Sequence, residues 1–390
     1  MRIAIISPEF PPHTVGGGGI VVQQVARSLA RRNSVDMLFG SWSSDHAVSE
    51  ANQKLMPVPL LHFCRAPTSL TTSMPPTPRG FTIILNELML RRPNVVHLHG
   101  VGHPIVDIAA IFCQRLGISY IIICHGLPLA SNPHGLFLRL FYRAYEQLVG
   151  SRTLKGATFV IAVSNRVAKS LELKGIPREK IRVSYHIPSF ESSPTTGMRF
   201  REVAQIPQDR KIILFLGSIS YRKGADLALE TARKLLGLRR DFVLCLVGSD
   251  GGMVQHLKRK IHELRLDEHV IILGHVDSSV RDSALEACDL VLFPSRDEPY
   301  GIVPLEAIAH EKPVLVSRCS GVAELLKDSG LLFDADKTEL AAERINDILE
   351  TPELARRLVK QASTFIGSVP VANAEELYEE LSTRSSVRPP

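Results

Sequence analysis

Residues 289–317 read DLVLFPSRDEPYGIVPLEAIAHEKPVLVS, a stretch that sets out a strand, a loop, a helix and a second strand. DLVLF and PVLVS are short, nearly continuous apolar runs of the kind found in parallel sheets covered on both faces. Pro304 stands in the helical run between them. Proline is tolerated in a helix only in the first turn, so this helix must begin close to Tyr300–Val303. Strand, crossover helix and parallel strand together form the repeating unit of a doubly wound α/β domain.

The same unit recurs outward in both directions. RIAIIS, VDMLF, NVVHLH, SYIIICH, TFVIAVS and IRVSY alternate with helical patterns in the first half; KIILFLG, DFVLCLVG and HVIILG do so before residue 289. Two doubly wound units follow, with a Ser/Pro/Thr-rich linker near residues 187–210. Their expected limits are 1–190 and 191–366, leaving 367–390 as a closing segment. Ala66–Gly80 has no apolar periodicity and reads as a long loop able to cover a site. ELAAERINDILETPELARRLVKQASTFI predicts two amphipathic helices.

With 390 residues, 45% of them hydrophobic, the chain can bury large cores, which excludes a disordered chain or a small disulfide-held fold. Its six cysteines form no C-x-x-C pair and read as reduced core residues of a cytoplasmic protein. No apolar run approaches the roughly 20 residues of a membrane helix. Charge is uneven: residues 1–190 carry 20 Lys and Arg against 9 Asp and Glu, and the rest is net acidic. That imbalance points to different partners for the two halves, or to a surface difference without consequence.

The N–H groups of Tyr300, Gly301, Ile302 and Val303 are expected at a helix start, where the macrodipole also favours an anion, and Gly301 keeps the approach open for a phosphate. Glu298 precedes the helix and Glu306 lies inside it. Two carboxylates beside an anion site repel phosphate unless each is aimed at hydroxyls, and the vicinal hydroxyls of a sugar or ribose meet that demand. A second loop, GSISYRKG, follows strand KIILFL; it opens on Gly217 and carries Arg222 and Lys223. Cations at the C-terminal edge of a parallel sheet suit a diphosphate and the charge that builds on it as it leaves.

On these residues the second half resembles the family 4 retaining glycosyltransferases of the GT-B fold: E-x7-E from Glu298 to Glu306, Lys223-Gly224, Val247-Gly248, ILG at 272–274 and SGVAE ending at Glu324. The first half is similar through PEFPPHTVGGGGIVVQQVARSLARR, VVHLHG, His125 and VIAVS. The resemblance implies two Rossmann-like domains facing an interdomain cleft, with the final AEELYEELSTR crossing back onto the first. It implies a metal-independent transferase without a bound cofactor, taking a hexose-type sugar from a UDP- or GDP-sugar co-substrate to a glycan, lipid-linked or small-molecule acceptor. Glu298 would contact the sugar, Glu306 the ribose and Lys223 the diphosphate; His125 would sit near the reacting centre, and Gly17 and Gly18 would line the cleft. The chain departs from the pattern at Ser218, where arginine is usual, and at Glu311, where glycine is usual. A nucleotide-sugar hydrolase or epimerase and a non-catalytic nucleotide-sugar binder therefore stay open.

Gly16–Gly19 do not make a nicotinamide site, because no acid ends the second strand. His97, His99 and His103 read as core or hydrogen-bonded rather than metal ligands, and Asp334–Asp336 as a helix cap. GLFLRLFYRAYEQLVGSRTLK fits a core-packed helix or an interfacial one, and the basic first half favours peripheral contact with an anionic membrane at the inner face. No nucleic-acid motif is present.

Overall fold

The computed structural model describes residues 1–8, 10, 17–41, 61–67, 78–126, 143–185, 197–327 and 329–368. Two compact units emerge, one built on Met1–His186 and one on Ile187–Pro370.

The first unit holds a seven-stranded parallel sheet. Its strands are β1 Arg2–Ser7, β2 Ser34–Ser41, β3 Leu61–Pro67, β4 Val95–His99, β5 Tyr120–Cys124, β6 Phe159–Ala162 and β7 Ile181–Val183. They run in the order β3-β2-β1-β4-β5-β6-β7, so the winding reverses between β1 and β4. Ile3, Ile5, Ile6, Val96 and Leu98 are wholly buried there, as strands covered on both faces must be. Capping chemistry starts the helix Asn165–Leu173, where Ser164 Oγ accepts the Val167 N–H at 3.2 Å.

The second unit repeats the plan with six strands: β8 Lys211–Leu216, β9 Phe242–Val247, β10 Val270–Gly274, β11 Leu290–Phe293, β12 Val314–Ser317 and β13 Leu332–Phe333. The order β10-β9-β8-β11-β12-β13 puts its switch point between β8 and β11. Asp289 fixes that junction: its carboxylate accepts the Ile212 N–H at 2.8 Å and the Lys211 ammonium at 3.1 Å. Two of the crossover helices start on aspartates. Asp250 Oδ1 accepts from Gly252, Met253 and Val254 ahead of Val254–Glu263, and Asp277 Oδ1 takes the Val280 N–H ahead of Ser278–Ala287.

Several expectations need correction. Ala66 and Pro67 end β3, and Pro78–Gly80 open the helix Pro78–Arg91, so the expected loop is shorter than Ala66–Gly80; residues 68–77 lie outside the described set. The linker region includes a helix, Gly197–Val203, whose Phe200 is wholly buried and whose Phe200 N–H meets Ser283 Oγ at 3.0 Å. Gly17 and Gly18 form the first residues of the helix Gly17–Ala30. Asp334–Asp336 is not a side-chain cap: Lys337 holds the N-cap position of Thr338–Glu350 without a side-chain bond, and Asp334 pairs with Arg318 at 3.4 Å. The two closing helices form as expected, over Thr338–Glu350 and Pro352–Ser368, while AEELYEELSTR lies outside the described residues.

Glu311 adopts φ +57° just after the helix Val303–Ala309, a left-handed conformation that costs a β-carbon-bearing residue about 1–2 kcal/mol. Glycine has no such cost. Glu311→Gly is expected to raise the stability of the second unit by about 1 kcal/mol, measured by urea unfolding; an unchanged or lowered midpoint contradicts this.

Candidate functional site

The two loops singled out by the sequence leave neighbouring strands, β8 and β11, on either side of the switch point, the position where open α/β sheets bind ligands. They are joined to one another. Arg296 N–H donates to the Arg222 carbonyl at 2.9 Å, and Arg222 Nη1 donates to the Asp297 carbonyl at 3.1 Å. Gly224 turns the chain at φ +73° into the helix Ala225–Leu235. A β-carbon there would fall 2.1 Å from the Pro294 carbonyl oxygen, so only glycine permits this approach.

Across that junction lie two ion pairs. Lys223 Nζ meets Glu298 Oε2, with the ammonium 5.6 Å from the centre of the Phe293 ring. Glu306 Oε2 meets Nη2 of Arg281, a residue of the helix Ser278–Ala287. The side chain of Glu306 is only 4% exposed and that of Glu298 only 12%. An unpaired carboxylate at such depth would pick up a proton or open the structure. Repulsion of an anion by the two acids is therefore answered first by paired cations, and not by hydroxyl-directed geometry alone. Burial works against the charge on Arg281, yet Glu306 and then Asp282, at 3.2 Å, hold its pKa above the ordinary value.

A third cation braces the loop. Arg296 grips Asp226 through two bonds of 2.7 and 2.6 Å, donates to the Tyr221 carbonyl at 2.8 Å and stacks its guanidinium 3.8 Å from the centre of the exposed Tyr221 ring. Its bond to Asp226 is the leading cause of its raised pKa. Arg222, by contrast, faces no carboxylate among the described residues. Ser218 leaves the place of the usual arginine uncharged, and Arg222 is the other cation of the loop that begins at Gly217.

The expected helix start is present. Ile302 is the N-cap, Val303 and Pro304 open the first turn, and no side chain caps them. Their helix supplies no carbonyl to the leading N–H of Val303, and Pro304 has no N–H to satisfy. Tyr300 is buried and its carbonyl accepts the Val322 N–H at 2.7 Å. Gly301 has φ +100°, and a β-carbon there would press on the Phe293 ring at 3.1 Å and on Val322 at 3.3 Å. Backbone shape and core packing thus both require this glycine. Glu298 extends the site toward the next strand through a bridge to Ser320.

His125, Gly17 and Gly18 belong to the first unit, the remaining candidates to the second. His125 follows β5 and contacts His99, the last residue of β4: Nε2 and Nδ1 are 3.2 Å apart and the rings stack at 5.4 Å. His97 lies two residues earlier on the same face, its ring edge toward His99 at 5.8 Å. His103 packs on Gly100, and burial lowers its pKa. A β-carbon on Gly18 would meet nothing within 4 Å. Deeper in this unit Asp107 accepts from Tyr145 Oη at 2.7 Å, and burial raises its pKa. Among the described residues no group of three His, Cys, Asp or Glu is placed to hold a metal ion. No helix among them is long and apolar enough to cross a membrane.

His99, read from the sequence as core or hydrogen-bonded, is buried against His125, whereas the sequence pattern does not single out Arg281 or Arg296. Nothing local signals these two arginines, whose partners lie 25 and 70 residues away.

Comparison with known proteins agrees with this geometry. Residues 198–365 match the family described as glycosyl transferases group 1, and residues 15–186 match Glycosyltransferase Family 4. The chain is 26% identical over 292 residues to the alpha-D-kanosaminyltransferase of Streptomyces kanamyceticus, covering 72% of this chain and 75% of that one. It is 25% identical to the D-inositol 3-phosphate glycosyltransferase of Acidothermus cellulolyticus, covering 93% and 85%. The crystal structure of Anabaena HepE in complex with UDP and glucose superposes with a TM-score of 0.74 at 19% identity, over 98% of this chain and 100% of that one. From the two matched halves, the paired strand-end loops and the shared fold, this chain belongs to the family 4 glycosyltransferases of GT-B fold.

Proposed function

We propose that the protein is a retaining hexosyltransferase that takes its sugar from a UDP- or GDP-sugar held by the second unit, and that the first unit presents an acceptor hydroxyl. The observation that carries this reading is the Lys223–Glu298 pair at the β8/β11 switch point. It sets a cation for the diphosphate beside a carboxylate for the sugar. Bound UDP and glucose in the Anabaena neighbour support a nucleotide-sugar donor.

Arrival of the donor exchanges partners. Its diphosphate takes up Lys223, with Arg222 beside it and the start of the helix Val303–Ala309 facing it, and Glu298 turns to the sugar hydroxyls. Glu306 accepts from the ribose. The acceptor hydroxyl attacks the anomeric carbon on the face that the diphosphate leaves. A new carbon–oxygen bond forms as the bond to the diphosphate breaks, and the hydroxyl proton passes to the departing phosphate oxygen. Positioning and charge stabilisation lower the barrier, and in the first unit His125, Gly17 and Gly18 are assigned to the acceptor side of the reaction. Because Lys223 and Arg222 meet the charge on the leaving group, transfer needs no divalent metal or resident cofactor.

The basic balance of residues 1–190 supports peripheral contact with an anionic membrane and a glycan or lipid-linked acceptor in a cytoplasmic setting. Of the stretch expected as a core-packed or interfacial helix, residues 135–142 lie outside the described set, while 143–155 are helical, with Leu154 buried and Leu148 exposed. Absence of binding to anionic vesicles at low salt removes the membrane reading.

A thermal-shift panel of UDP, GDP and ADP with their sugar conjugates tests donor binding: one base series should raise Tm, since a ligand stabilises only the state that binds it. No shift from any of them contradicts the reading. Lys223→Ala should lower kcat about 10²-fold or more, the size of losing one preorganised charge-stabilising donor, and an unaltered kcat removes Lys223 from the site. Glu306→Ala should weaken nucleoside diphosphate binding roughly tenfold, seen by calorimetry. Transfer should persist in EDTA, whereas stoichiometric release of free sugar without acceptor would point to a hydrolase.

A further inference from the structure

The Arg281–Glu306 pair is unequal in a way that charge neutralisation alone does not require. Glu306 is nearly sealed at 4% exposure, while Arg281 keeps 28% of its side chain accessible. Two of the five guanidinium N–H groups are engaged, one with Glu306 Oε2 and one with Asp282 Oδ1. Glu306 in turn uses one oxygen, and Oε1 accepts from no group among the described residues. Side by side, then, stand a spare anionic acceptor and spare fixed donors, carried by the helices Val303–Ala309 and Ser278–Ala287 and held together by their own ion pair.

A vicinal diol is the chemical complement of that arrangement, since one hydroxyl can donate to a carboxylate while the oxygen of the other accepts from a guanidinium. We propose that Arg281 is a nucleotide-binding residue that completes a ribose subsite with Glu306, donating to one ribose hydroxyl oxygen while Glu306 Oε1 accepts from the other. This rests on the assignment of Glu306 to the ribose above. Arg281 would act on the nucleotide directly, and not only by pairing with Glu306.

Calorimetry with UDP and GDP, each against its 2′,3′-dideoxy counterpart, tests this. The wild-type protein should bind the ribonucleotide of its preferred base more than about tenfold tighter, because a site built to bond a hydroxyl rejects the analogue lacking it. Arg281→Met should reduce that ratio by about tenfold, the size of a charge-assisted hydrogen bond. Arg281→Lys, which retains the ion pair and so the fold, should reduce it severalfold, because an ammonium lacks the planar fork. The same Arg281→Met change in a Glu306→Gln background should lower the ratio again. No further loss there means that Arg281 acts only through Glu306 and overturns the proposal, as does an unchanged ratio in both single variants with folding verified by Tm. If the variants do not fold, a wild-type crystal with UDP decides: guanidinium nitrogens within hydrogen-bond distance of a ribose oxygen support the proposal, and a guanidinium turned away overturns it. Failure of the wild-type protein to bind any nucleoside diphosphate would instead remove the donor reading, and this subsite with it.

Discussion

Two carboxylates, Glu298 and Glu306, lie almost out of water, and each meets a cation delivered by a different crossover. The organisation of the second unit follows from that constraint. Lys223 comes from the loop after β8, Arg281 from the helix after β10, and both acids from the segment after β11. Only a parallel sheet that reverses its winding between β8 and β11 brings these segments together. Breaking either pair from one side would strand a buried charge, at a cost of about 3–5 kcal/mol. The same pairs thus hold the loops in place and keep the site charged.

Positioning is distributed over groups that need not touch a ligand. Asp289 fixes the start of β11 against β8, Gly224 lets the Lys223 turn rest on the Pro294 carbonyl, and Arg296 ties Tyr221 and Asp226 to the Glu298 loop. Each acts at a strand end or a helix start, where a small backbone displacement would move Lys223 relative to Glu298. The packing of Phe293 against Gly301 serves the same purpose from below. In the first unit, the His99–His125 contact joins the ends of β4 and β5 in a comparable way, one strand away from its own switch point.

Much of this was legible in the sequence. Continuous apolar runs marked eleven strands, and Pro304 located the helix start to within a residue or two, because both signals are local. LHFCRAP did not announce β3: it is an edge strand of mixed polarity with no apolar run to mark it. The two-residue β13 is too short for any periodicity. Gly197–Val203 is held by Phe200 against Ser283, a tertiary contact that its Pro/Ser/Thr-rich neighbourhood conceals. Motif spacing and strand ends single out Lys223, Glu298 and Glu306, which the structure places in two ion pairs. The partners of two of the site's charged residues, Arg281 for Glu306 and Arg296 for Asp226, were not found, because ion pairs between distant crossovers leave no trace in local pattern. At Glu311 the sequence showed a departure from the family, and the left-handed backbone supplies the reason that glycine is favoured there.

The most direct test of the central claim is a crystal structure of the protein with its nucleoside diphosphate sugar bound. The account predicts a diphosphate within hydrogen-bond distance of Lys223 Nζ at the β8/β11 junction, with Glu298 released from Lys223 and turned toward the sugar. A donor bound elsewhere in the chain, or one that leaves the Lys223–Glu298 pair closed and untouched, would contradict it.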